Sequence, residues 1–315
     1  MTPLMRAAAA FCTTRTSDLY WNESAWFSLS LPERGIHGFF YYFFRPNMNL
    51  LVGGPAIWDA TGSEMWNCLY YDWRTFQAMP NAARKFDFTA PNSLSVETLE
   101  PSTRYRLRYD NNGFLLDLEW QAVSEPHDFT GMEELATGAA GKRLHIEQCG
   151  RVTGLMRVNG EEFLLNCYSL RDTSFGVRHF GQVVKGSYFW GIASPETAFH
   201  VLTLGDGPEQ KVAGGFLIQD GRMETILGGM RKVIEDGPLS PLSFSLQVKD
   251  KAGRSASLIA KTKNPFLFVG YPDNPTTWSM LEIEHDGKVY WGDIQEFRPM
   301  EVFRRQVRGG LLSGG

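Results

Sequence analysis

The sequence predicts an all-β protein made of two antiparallel β-barrel halves. Short runs of aromatic and β-branched residues dominate from about residue 25 onward, Asn-Gly and Asp-Gly pairs separate many of them, and helical periodicity is scarce. At 315 residues the chain has the length of two domains of about 150 residues each, or of one large all-β unit.

From the N-terminus, Met1 to Arg6 and four alanines weakly imitate a signal peptide but lack its longer apolar stretch, which reads as a cytoplasmic protein. Phe39 to Phe44 is the densest apolar run and is far too short to cross a bilayer, so no stable membrane insertion is expected. Arg104 to Tyr109 and Leu116 to Trp120 alternate charge with bulk, and Asp110-Asn111-Asn112-Gly113 between them supplies the positive φ angles of a tight hairpin. Asn159-Gly160, Asp220-Gly221 and Asp286-Gly287 predict three further hairpins, and Lys249 to Arg254 a longer loop. Hairpins in this number favour closed barrels, which leave no exposed edge. Ser124 to Lys142, punctuated by Pro126, Gly131, Gly138 and Gly141, reads as the boundary, with one or two helical turns at 132–136. The expected halves are residues 1–130 and 131–303, followed by a flexible basic tail over 304–315.

The net charge of −4 and the dispersed Lys and Arg residues offer no face for phosphates, which excludes nucleic acid as a partner. Cys12, Cys68, Cys149 and Cys167 form no CxxC pair, so neither a zinc cluster nor a disulfide framework is indicated. No GxGxxG, Walker, Gly-x-Ser-x-Gly or HExxH element is present. The 22 Phe, 11 Tyr and 9 Trp exceed what a core of this size needs and suit an apolar ligand cavity.

The string His145-Ile146-Glu147-Gln148-Cys149-Gly150-Arg151-Val152-Thr153-Gly154, followed by Arg171-Asp172-Thr173-Ser174-Phe175-Gly176-Val177-Arg178, resembles the lipocalin-like family of AttH proteins and carotenoid 1,2-hydratases. That family usually has Trp where Phe175 stands here. Asn22 to Phe27, Arg45-Pro46-Asn47, Gly214 to Gly229 and Tyr290 to Asp293 extend the resemblance along the chain. It implies two calycin-type halves packed together, no metal and no organic cofactor, and hydrophobic terpenoid-, polyketide- or steroid-like ligands. Alkene hydration, cyclisation and pericyclic ring formation are all represented among its members, so fold travels further than reaction.

Protonating an isolated alkene requires an acid in a dry cavity with aromatic faces or carboxylates around the cation. His145 and Glu147, two apart, share one face of a strand, where a carboxylate can orient an imidazole. Asp172 lies between Arg171 and Arg178, which would keep it ionised; a buried ion pair with Arg178 is the architectural alternative. Glu23, between Trp21 and Trp26, and Asp59, beside Trp58, are carboxylates in aromatic settings that raise a carboxyl pKa toward neutrality. Asp293 and Glu296 share that setting, whereas His127, His179 and His200 have poorer local company. Trp21, Trp26, Trp66, Tyr70, Tyr71, Trp73, Tyr188, Phe189 and Trp190 are candidates to line a pocket, a role that competes with plain barrel core. The expected function is a cofactor-independent hydratase, dehydratase or cyclase acting on a hydrophobic small molecule. A non-catalytic carrier of such a metabolite is the rival, and the oligomeric state, including a homodimer, stays open.

Overall fold

The computed structural model describes residues 11, 15–81, 84–129, 144–179, 184–271 and 273–313. The turn pairs behave as their chemistry demands: Asn112-Gly113, Asn159-Gly160, Asp220-Gly221 and Asp286-Gly287 all hold positive φ between strands. The helical turns expected at 132–136, like Cys12, lie outside the described residues.

The chain divides into two compact units. The first contains β1 (Trp21–Leu31), β2 (Ile36–Arg45), β3 (Leu50–Trp58), β4 (Tyr70–Tyr71), β5 (Arg74–Ala78), β6 (Phe88–Thr89), β7 (Ser95–Glu100), β8 (Arg104–Asn111), β9 (Phe114–Ala122), β10 (His127–Asp128), β11 (Leu144–Val158) and β12 (Glu161–Val177). They form one antiparallel sheet in the order β4-β3-β2-β1-β12-β11-β9-β8-β7-β6, with β10 beside β11 and β5 beside β3. This unit runs to His179, well past the boundary expected at residue 130, because β11 and β12 pair with β9 and β1.

One face of this sheet carries the core, with Phe27, Phe40, Tyr42, Tyr105, Leu107, Leu118, Trp120, Val152 and Met156 packed together. Arg171 stands among them without solvent exposure. Its Nη2 donates to Gln148 Oε1 at 2.6 Å, and its guanidinium lies 5.2–5.5 Å from the Phe86, Tyr105 and Trp120 ring centres. Every residue of β1 and β2 is buried, so their opposite face is also covered.

The second unit holds β13 (Gly186–Ser194), β14 (Thr197–Leu204), β15 (Glu209–Gln219), β16 (Arg222–Glu235), β17 (Ser243–Asp250), β18 (Ser255–Phe268), β19 (Thr276–His285) and β20 (Lys288–Phe297). These close into an antiparallel barrel. Phe189, Val201, Leu246, Ile283 and Ile294 fill it. Arg231 is also buried in it, ion-paired to Glu296 and bonded to Ser187 Oγ at 2.6 Å and to Gln210 Oε1 at 2.9 Å. Residues 304–313 are not a loose tail: they belong to helix α1 (Met300–Ser313), which Gln306 anchors by accepting from Arg298 Nη1 at 2.7 Å. Among the described residues no helix is long and apolar enough to cross a membrane.

Gly150 shows how tightly β9 and β11 approach, since a Cβ there would sit 2.2 Å from the Trp120 ring. Trp120 is fully buried against Arg171 and cannot retreat. Gly150→Ala is therefore expected to cost about 2–3 kcal/mol, measured by urea unfolding, against a smaller effect for Gly228→Ala, where a Cβ would meet nothing within 4 Å.

Candidate acid–base site

The site begins with strand register. Asp172 of β12 pairs with Glu147 of β11 on one side and with Trp26 of β1 on the other, and Ser174 pairs with His145 and Ser24 in the next row. Directly opposed residues in an antiparallel pair share a face, so all six side chains emerge together on the face away from the Arg171 core.

His145 Nε2 lies 2.7 Å from Glu147 Oε1 and 3.4 Å from Asp172 Oδ2. His145 and Glu147 are buried, and the Asp172 side chain is 21% exposed, which makes it the member nearest solvent. Phe129 closes one side, its ring 5.3 Å from the imidazole and its N–H donating to the His145 carbonyl at 2.7 Å. Above the triad, Ser24 Oγ and Ser174 Oγ are 2.8 Å apart, and Arg178 Nη2 donates to Ser174 Oγ at 3.1 Å. An imidazole between two carboxylates can hold a proton and pass it to either, in a place where bulk water does not compete. The same three residues each offer a ligand atom within 4.8 Å of the others, a spacing at which a single divalent cation could be held.

His127 faces Glu147 across the β10–β11 pair. Burial pulls its imidazole down to about 4, only partly opposed by the charge of Asp128.

The other predicted residues separate. Glu23 alternates to the core face, where it accepts from Trp21 Nε1 at 3.1 Å, while Trp26 points to the triad; the two tryptophans that frame Glu23 in sequence lie on opposite faces. Trp21 stacks on Phe175. Asp172 pairs with His145 and not with Arg171 or Arg178, because Arg171 alternates away and Arg178 turns to Ser174. Asp59 is a turn cap that accepts from Thr61 N at 2.8 Å and Thr61 Oγ1 at 2.6 Å, apart from the triad. Trp66 is 72% exposed, which sets it apart from the buried triad. Tyr70 packs on Phe114 and bonds Tyr109 through its hydroxyl, a core role; its half-buried neighbour Tyr71 pairs with Ala56. Trp73 lies 5.2 Å from Tyr41, ring to ring. His179 is half-exposed beside Asp18.

In the second unit Trp190 pairs with His200 and Asp293 on its two sides, and Tyr188 lies 4.4 Å from His200, ring to ring. This buried row faces away from the barrel interior that holds Phe189 and Ile294. Glu296 is occupied by Arg231. Ser24, Phe129 and the side chain of Asn22 escaped the sequence reading, although counting back by twos from Trp26 on β1 reaches Ser24 and Asn22.

A family model described as a domain of unknown function, DUF7064, matches residues 13–300. No curated protein matches the sequence. Among solved structures, kievitone hydratase from Nectria haematococca is similar at 10% identity with a TM-score of 0.52, over 93% of this chain and 94% of that one. A protein described as AttH from Nitrosomonas europaea is similar at 11% identity and a TM-score of 0.54, over 87% and 90%. CghA matches at 10% identity and a TM-score of 0.54, over 95% and 96%. At such identities the likeness is one of fold, and it is the fold that the sequence motifs led us to expect.

The depressed His127 gives a pH signature. The unfolded imidazole, near 6.5, binds a proton that the folded one refuses down to about 4, so stability is full above the upper value and is lost as pH falls through this window. The loss amounts to about 3 kcal/mol by pH 4. Chemical unfolding of wild type and His127→Gln from pH 7.5 to about pH 4 is expected to show a shallower decline in the variant.

Proposed function

We propose that this chain, which belongs to the DUF7064 family, is a cofactor-independent lyase or isomerase that hydrates, dehydrates or cyclises an apolar small molecule by acid–base chemistry. The observation that carries this reading is the buried His145 in contact with Glu147 and Asp172. Two carboxylate oxygens close to one imidazole nitrogen give a proton on that nitrogen two places to go. His145 is the proton donor, Glu147 the buried base that takes a proton from the substrate and returns it to His145, and Asp172, closest to solvent, the second carboxylate that holds the imidazole in place. Trp26, opposite Asp172, supplies an aromatic wall for the substrate skeleton. The fold shared with kievitone hydratase supports the reaction class, since that protein's name describes a hydratase.

Native mass spectrometry of the purified protein, with extraction of any co-purifying ligand and incubation of that ligand with fresh enzyme, tests the reading. Gain or loss of one water marks a hydro-lyase and an isomeric product a cyclase, while a ligand that is held and never altered marks a carrier. His145→Asn is expected to lower turnover by roughly 10²–10⁴-fold, with ligand affinity within about threefold of wild type. Exhaustive dialysis against EDTA is expected to leave turnover unchanged. Loss on dialysis and recovery with zinc or manganese would instead make His145, Glu147 and Asp172 metal ligands.

A further inference from the structure

Asn22 is 1% exposed, and neither its Nδ2 nor its Oδ1 has a hydrogen-bond partner among the described residues. A buried amide with both ends unmatched bears its full desolvation cost, and an apolar residue of the same size would be more stable there. Strand alternation places it on the face of Ser24 and Trp26, one row beyond the Ser24–Ser174–His145 row. Across from it on β12 stands Gly176, with φ of 152°, over which the Arg178 side chain runs to reach Ser174 Oγ, so the amide faces a guanidinium stem and no side chain of its direct partner. Two strand spacings and one two-residue step put the Asn22 and His145 Cα atoms about 12 Å apart, with the Arg178–Ser174 hydrogen bond on the strand between them.

We infer that the substrate is an α,β-unsaturated carbonyl compound, or the β-hydroxy carbonyl formed by its hydration, and that Asn22 recognises its oxygens. This rests on the acid–base reading of the triad. An imidazolium is too weak an acid to turn an isolated alkene into a carbocation, so a histidine-centred relay suits an alkene activated by conjugation. The carbonyl and hydroxyl of a β-hydroxy ketone present an acceptor and a donor in 1,3 relation, the complement of the Asn22 donor and acceptor.

In the dehydrating direction the Glu147 carboxylate removes the proton from the α-carbon, and the C–H electron pair forms the enolate, whose oxygen accepts from Asn22 Nδ2. The enolate pair then forms the C=C bond as the β-carbon–oxygen bond breaks. The departing hydroxyl takes the proton of the His145 imidazolium and leaves as water. The proton on Glu147 returns to His145 across their 2.7 Å contact, so no other reactant is consumed. Hydration runs the same steps backwards.

The test is equilibrium binding, by tryptophan fluorescence and native mass spectrometry, of three compounds with one skeleton: chalcone, its hydrate 3-hydroxy-1,3-diphenylpropan-1-one, and the hydrocarbon 1,3-diphenylpropane. Wild type is expected to bind the hydroxyketone at least about tenfold more tightly than the hydrocarbon, with chalcone between them. Asn22→Leu is expected to bring the three within about twofold while its melting temperature stays equal or rises; Asn22→Ala should show the same loss of preference if the leucine variant does not fold. No preference in wild type, including binding of none of the three, overturns the inference, as does a preference that survives in the variants. Where wild type interconverts the two oxygenated compounds, the same comparison is made in the His145→Asn background: a preference that depends on Asn22 in a protein whose His145→Asn variant turns over normally would sink the acid–base reading and leave the oxygen-recognition site standing.

Discussion

β12 lies between β1 and β11, and its register with both decides which side chains meet. The pairing runs from Val158 opposite Glu161 at the hairpin tip to Leu144 opposite Phe175, while β1 adds Trp21 opposite Val177 through Phe27 opposite Arg171. Because side chains alternate with a period of two, a slip of one residue would drive Asp172 into the aromatic core and push Arg171 onto the other face. Arg171 opposes such a slip. Its hydrogen bond to Gln148, its direct cross-strand partner, and its three surrounding rings are available only in the native register. A guanidinium cannot shed its proton to escape burial, so the penalty for misplacing it is severe. The face that holds His145, Glu147 and Asp172 is thus set by a cation on the opposite face of the same strands.

Local chemistry made much of this legible. Asn-Gly and Asp-Gly pairs marked hairpins because few other residues accept two successive positive φ angles, and the i, i+2 spacing of His145 and Glu147 placed them on one face. What failed were questions of long range. Residues 144–177 lie after a Gly-rich stretch and read as the start of the second half, yet they zip onto β1 and β9, and nothing within those strands names their partners. Asp59 and Trp66 failed for the opposite reason: their aromatic neighbourhood in sequence is not one in space. Glu23 shows the same lesson inside a single strand, where alternation separates it from Trp26. Asn22 showed only as part of the resembling segment Asn22 to Phe27, since its surroundings depend on Gly176 and Arg178, residues distant in sequence.

Arg171 in the first unit and Arg231 in the barrel are both fully buried among aromatic rings, and the two solve the same electrostatic problem differently. In the barrel, Arg231 is neutralised by Glu296, with Ser187 and Gln210 filling out the network and the Phe244 ring 4.3 Å away. In the first unit, among the described residues, no carboxylate pairs with Arg171, and three ring faces with one amide oxygen stand in for it. Cation–π attraction recovers part of the lost hydration and leaves the charge uncompensated. The nearest acid in sequence, Asp172, is unable to help, because adjacent residues of a strand point to opposite faces. It meets His145 instead. Had an aspartate occupied the core face beside Arg171, the unit would have gained an ion pair like that of the barrel, and the other face would have kept a lone Glu147 on its histidine. The strand spends its acidic residue where a proton can be moved, and aromatic rings carry the arginine.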